Sequence, residues 1–102
     1  MYSESTAVQT ILVKYTHPWT KTVKNEKNMI NFVKWYLKNI ALHKEATTES
    51  IMKYLEDHNL LHSDYKMKTR RMGRILAMYP NFKYVTHYDP LSQMDKNHWQ
   101  LI

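Results

Sequence analysis

The spacing of apolar and polar residues changes character several times along the chain. Before residue 26 there is one β-prone patch, residues 7–15, which alternates only imperfectly, and His17, Pro18 and Trp19 then interrupt any regular element. This stretch is expected to be either a strand or an extended arm docked through Trp19. From Glu26 the period becomes helical. Ile30, Val33, Leu37, Ile40 and Ala41 share one stripe, while Asn31, Lys34, Lys38 and Asn39 lie on the other side. Trp35 and Tyr36 flank the stripe and widen it, as expected for a helix with more than one neighbour. A second helix start follows at Thr47, whose hydroxyl suits an N-cap; Glu49 faces the positive helix end and Ala46 is placed to staple onto Ile51. The helix is expected to run to about Asp57, burying Ile51, Tyr54 and Leu55. Residues 58–62 then turn the chain and bury one or both of Leu60 and Leu61.

Ser63 or Asp64 is the expected cap of a third helix reaching from Tyr65 to Met78. It stops there because the residue before Pro80 is pushed out of the helical region. At about 100° per residue, Met72, Ile75, Leu76 and Tyr79 cluster and Tyr65 joins them. The opposite face carries Lys66, Arg70, Gly73, Arg74 and Ala77, with Arg71 and Met67 on its flank and Lys68 snorkelling from the buried edge. Gly73 is the sole glycine, at a position where it costs about 1 kcal/mol relative to alanine. A side chain that small lets the helix approach another surface closely, be it a ligand or a second helix. Residues 82–88 and 97–102 are β-rich runs separated by the turn-forming residues 89–96. Pairing Tyr88 with Asn97 sets Thr86 opposite Trp99 and Tyr84 opposite Leu101, giving an aromatic, apolar face toward the helices. The other face then holds Lys83, Val85, His87, His98 and Gln100.

Three helices, the second and third joined by a short turn, followed by a two-stranded hairpin, resemble the winged-helix family of DNA-binding domains. The resemblance covers residues 26–102 and rests on this element order, the Thr47-x-x-x-Ile51 helix start, the basic third helix and the Tyr84/Trp99 hairpin. It implies an α+β fold, a three-helix winged helix-turn-helix with a C-terminal β-hairpin wing, preceded by an N-terminal arm or strand over residues 1–25. It also implies a third helix in the major groove and a wing against backbone or minor groove. The chain departs from the common pattern at the hairpin tip, which carries Asp89 and Asp95 against Lys96 and has no glycine.

Composition narrows the chemistry. A chain of 102 residues with 43% apolar or aromatic side chains suits one domain. Absence of cysteine excludes disulfide scaffolds, thiolate metal sites and cysteine nucleophiles, and a single glycine excludes a phosphate-cradling loop. The N-terminus has no apolar leader and no run is long enough to span a membrane, so a soluble, intracellular protein is expected, in the cytoplasm or, if viral, at the host nucleoid. The preference for lysine with abundant Asn, Ile and Tyr is what an AT-rich coding sequence gives, and it suits a phage, viral or mobile-element regulator. The net charge is +6, and the excess has an address: Lys66, Lys68, Arg70, Arg71, Arg74 and Lys83 lie between Tyr65 and Tyr88 with no acid among them. All three arginines fall within that segment.

Such a surface points to a polyanion, and the expected function is sequence-influenced binding of double-stranded DNA by a transcriptional regulator. Arginine offers two parallel donors to guanine, so Arg70 and Arg74, one turn apart, are the expected base readers, with Lys66 beside them. Ser63, Lys68, Arg71, Lys83, His87 and His98 are the expected phosphate contacts. The alternatives are an adaptor or inhibitor whose contact patch is Trp19, Trp35 and Tyr36 and whose basic helix docks an acidic partner, and RNA binding by shape. Dimerisation is open, with the N-terminal strand the segment best suited to a homodimer contact. No catalytic constellation, cofactor, small-molecule substrate or membrane partner is indicated. No metal site is expected either, since His58 and His62 sit four apart without a third ligand. His87 and His98, a cross-strand pair in the register above, could respond to pH as like charges form, and are read in preference as two solvent-facing polar residues.

Overall fold

A computed structural model describes Trp19 and residues 21–102 of the chain. The β-prone patch over residues 7–15, and with it the proposed dimer contact, lies outside the described residues. The fold is α+β: helix α1 (Glu26–Asn39), a 3-10 turn (Leu42–Lys44), strand β1 (Glu45–Ala46), helix α2 (Thr48–Asp57), helix α3 (Thr69–Met78) and strands β2 (Phe82–Asp89) and β3 (Met94–Leu101). Both β1 and β2 pair antiparallel with β3, giving the sheet order β1-β3-β2. No helix among the described residues is long and apolar enough to cross a membrane.

Helix α1 starts at Asn25, whose side-chain oxygen accepts from the Asn28 amide at 2.8 Å, and it carries Glu26 in its first turn and Lys38 in its last, both favourable to the helix dipole. Its buried face comprises Met29, Ile30, Phe32, Val33, Tyr36 and Leu37. The expected stripe overreached at Ile40, which is the C-cap and is exposed. Phe32 and Tyr36 extend the core into an aromatic end with Trp19, Trp35 and Tyr54. The three rings expected to form an adaptor patch are therefore packed within the molecule: Tyr36 is buried, and Trp19 and Trp35 are half-buried against the core. His43 and Lys44 then adopt φ of 58° and 60°, the left-handed region that reverses the chain into β1. Two residues are too short a strand to show an alternation, and β1 was not anticipated.

Thr47 caps α2 as its sequence predicts, accepting from the Ser50 amide at 3.1 Å, and Ile51 and Leu55 are fully buried. Helix α2 ends with Asn59 at φ 53° and the Leu60 amide donating to the Leu55 carbonyl, a left-handed cap in which asparagine replaces the usual glycine. Leu60 is buried and Leu61 half-buried. The same turn is pinned from outside: the Val23 amide donates to the Leu60 carbonyl at 2.7 Å and the His62 amide to the Val23 carbonyl at 2.9 Å. Val23 itself is fully buried.

Helix α3 begins four residues later than its sequence predicts. Its cap position is Lys68, not Ser63 or Asp64, and the Lys68 side chain makes no capping hydrogen bond. Met67 is buried and Tyr65 packs against the core, yet two positions apart on a helix they point about 200° away from each other. Burying both requires a non-helical segment, which the Asp64 amide closes locally by donating to His62 Nδ1 at 3.1 Å. Lys66 consequently lies on the approach to α3 and not on its exposed face. The far end is as expected: α3 stops at Met78, with Met72, Ile75 and Leu76 buried. The Tyr79 hydroxyl then donates to Glu26 Oε2 at 2.6 Å.

The hairpin register differs by two residues from the expected one. Tyr84 faces Trp99, Thr86 faces Asn97 and Tyr88 faces Asp95. A slip of two keeps every side chain on its face, so alternation could not distinguish the registers. The turn decides. It is only residues 90–93, with Gln93 at φ 56°. Asp89 accepts there from the Leu91 amide at 3.2 Å and the Ser92 hydroxyl at 2.9 Å, and pairs with Lys96 at 3.0 Å. Trp99 and Phe82 are buried under the helices, whereas Tyr84, stacked on Trp99 at 4.0 Å between centroids, emerges half-exposed toward the tip.

Candidate nucleic-acid interface

A side-chain hydrogen bond joins the sheet to the helices, and that junction shapes the site. Thr48, in the first turn of α2, accepts from Trp99 Nε1 at 2.9 Å. A Cβ built on Gly73 of α3 would lie 3.8 Å from the same hydroxyl. Around this junction the first half of α3, the start of α2 and the hairpin enclose an open groove of about 620 Å³. Its walls are Thr69, Arg70 and Gly73 from α3, Thr47 to Ser50 from α2, and Tyr84 and residues 94–97 from the hairpin.

Helix α3 contradicts the usual electrostatics of a helix start. Acidic groups are favoured in a first turn, at roughly 0.3–1 kcal/mol each, but α3 places Arg70 and Arg71 there and has no acidic residue in that turn. Arg71 has a local partner. Its Nη1 donates to the Lys66 carbonyl at 2.6 Å and its guanidinium lies over the Tyr65 ring at 5.5 Å. Arg70 lines the groove, Arg74 follows one turn later, and both are exposed. Acidic side chains do border the groove, Glu49 from α2 and Asp95 from the hairpin.

The residues expected to touch a polyanion divide into two sets. Arg70, Arg71 and Arg74 lie on α3, with Lys68 at its cap and Lys66 and Ser63 on the approach, all exposed. Lys83, His87 and His98 are instead on the face of the sheet opposite Tyr84 and Trp99, and none of the three lines the groove. His87 stands opposite Lys96 and His98 opposite Val85; the two imidazoles are diagonal neighbours with centroids 5.1 Å apart. Beside them His87 Nε2 meets Glu45 Oε1 at 2.6 Å, and the Gln100 amide donates to Glu45 Oε2 at 2.6 Å. Burial pushes the Glu45 carboxyl up, but the Gln100 hydrogen bond and the neighbouring His87 and His98 outweigh it and hold the group below its ordinary value.

Sequence reasoning found the arginines from their clustering and single sign. It missed the groove's other lining residues, Thr48, Thr69, Tyr84 and Asn97, which carry no charge signal, and it missed Glu45, which reaches the histidines only because β1 pairs with β3.

No family model and no solved structure matches the chain. Among curated proteins it is similar to the cytadherence high molecular weight protein 2 of Mycoplasmoides gallisepticum, with 32% identity over 69 residues. That similarity covers 68% of this chain and 4% of the relative's length.

Proposed function

We propose that the chain is a winged-helix domain that binds double-stranded DNA with sequence preference and acts as a transcriptional regulator. Helix α3 enters the major groove, and the β2-β3 hairpin serves as the wing. The observation that carries this reading is the uncapped, arginine-bearing start of α3 facing an open groove. A helix start that forgoes both a capping side chain and first-turn acids gives up local stability, and such departures from local consistency concentrate at functional positions. The element order and the β1-β3-β2 sheet accord with a winged helix, whose third helix is the reading helix. Arg70 and Arg74 read base edges, while Lys66, Lys68 and Arg71 flank them on phosphates. A phosphate in the groove would meet Thr69 and Arg70 with the positive end of α2 behind them, and Glu49 and Asp95 would set a limit on how deeply the backbone enters.

The test is selection of bound sequences from a random duplex pool, followed by titration of the selected site with wild type and with Arg70→Ala/Arg74→Ala. Neither arginine belongs to the core, so the double variant is expected to keep its melting temperature and to lose at least about tenfold in affinity, roughly 1–3 kcal/mol per base contact. Four to six phosphate contacts give a slope of log affinity against log salt of roughly −4 to −5. A flat salt response refutes the DNA reading, and unchanged affinity in the double variant refutes the choice of face.

A further inference from the structure

We infer that Glu45, His87 and His98 form a binding site for a divalent late-transition-metal ion, such as zinc, on the sheet face opposite Tyr84 and Trp99. One ligand comes from each strand, and the three ligand atoms all lie within 4.8 Å of one another. Tetrahedral coordination at bond lengths of 2.0–2.2 Å separates neighbouring ligand atoms by about 3.3–3.6 Å, so an ion would part His87 Nε2 from Glu45 Oε1, now 2.6 Å apart, and draw in the more distant ligand atom, by side-chain movements of about 1 Å.

The chemistry of the donors is right for such an ion. Two imidazoles and a carboxylate make a three-ligand set that leaves a position for water, and the borderline metals favour this mixture of nitrogen and oxygen. The surroundings also orient the ligands. His98 Nδ1 lies 3.3 Å from the Lys96 carbonyl, which can only accept, so the Nδ1–H tautomer is selected and the Nε2 lone pair is left for the ion. Gln100 holds the second oxygen of Glu45, turning Oε1 toward His87. Lys96, opposite His87 in the ladder, is the cation that would compete for the carboxylate, and it is held by Asp89 at 3.0 Å. Glu45 and His98 are half-buried and His87 is exposed, so the cluster is anchored but open to an incoming ion.

A bound ion would fasten β1 to the hairpin and so fix the wing relative to the start of α2, raising stability by mass action. The site stands on its own geometry and does not depend on the DNA reading. Calorimetric titration of zinc chloride into the full chain in a chelator-free buffer is expected to show one equivalent bound. In the wild-type protein, nitrogen NMR of the imidazoles should show the His87 and His98 resonances moving on zinc addition, a readout that needs no variant to fold. His87→Ala and His98→Ala should each weaken binding at least about tenfold, whereas His58→Ala/His62→Ala should leave it unchanged. Failure to bind zinc, or binding that survives both His87→Ala and His98→Ala, or NMR shifts confined to other histidines, overturns the assignment.

Discussion

At Gly73 stability and the proposed function pull in opposite directions, and Gly73→Ala measures both. The backbone does not require glycine, since φ there is not positive. Space does not require it either: an added Cβ would sit 3.8 Å from Thr48 Oγ1, an ordinary van der Waals contact. What remains is the difference in helix propensity, about 0.8–1.0 kcal/mol in favour of alanine within a helix. A methyl group at this half-buried position adds a few tenths more at about 25 cal/mol per Å² of covered apolar surface. The expected net stabilisation is about 1 kcal/mol. For a domain of this size that corresponds to a rise of roughly 4–8 °C in melting temperature, or a urea midpoint shift of roughly 0.3–1 M. Thermal and urea unfolding followed by far-UV circular dichroism would read it. If the variant is destabilised, then α3 must approach α2 more closely than the 3.8 Å separation indicates and glycine is there for packing. If it is stabilised, packing does not call for glycine, and the proposed function expects Gly73→Ala to bind a selected duplex more weakly than wild type; equal binding refutes a role for Gly73 in the groove it lines.

Two further outcomes test the junction and the hairpin tip. Thr48→Val preserves shape but leaves the buried indole N–H of Trp99 without its acceptor, so urea unfolding should show a loss of about 1–3 kcal/mol; a loss below about 0.5 kcal/mol means the 2.9 Å bond adds nothing. Asp89 is held below its ordinary carboxyl value by the Lys96 hydrogen bond first, then by Ser92. With a folded pKa below the unfolded one, its contribution is present above the unfolded value near 3.8 and disappears as pH falls through the folded value. The melting-temperature advantage of wild type over Asp89→Asn should therefore be constant near neutrality and vanish at lower pH; an advantage that persists in strong acid refutes the role of the charge.

What could be read in the chain depended on whether the deciding interaction was local. Thr47 and Ser50 are three residues apart, so the α2 cap was visible, and Pro80 ended α3 by a rule about its immediate neighbour. The two-residue periodicity of the hairpin put Lys83, His87 and His98 on one face correctly, because a slip of two preserves faces. The register itself was settled by Asp89, Gln93 and Lys96, whose side-chain and backbone geometry no alternation records. The start of α3 was misplaced because Tyr65 and Met67 both find the core, a tertiary demand that overrides the capping chemistry of Ser63 and Asp64. Glu45 was invisible for a related reason. Its neighbours in space, His87, His98 and Gln100, lie across a pairing 55 residues away in sequence for Gln100. The arginine cluster of α3 needed no tertiary information, which is why the candidate interface was found before the groove around it.

The position of β3 has a consequence for the order in which the protein can be made. β1 and β2 never pair with each other; each has β3 as its partner, and β3 comes after both. On a ribosome, the helices can emerge and collapse while the sheet has no centre, and Glu45 and Phe82 must wait for Gln100 and Leu101 to leave the exit tunnel. Trp99, fully covered in the finished molecule, is also the last large core side chain to arrive. The helical faces that the sheet covers therefore stay open until residues 99–101 have left the exit tunnel, and a pause before that point should leave the nascent chain prone to misassociation.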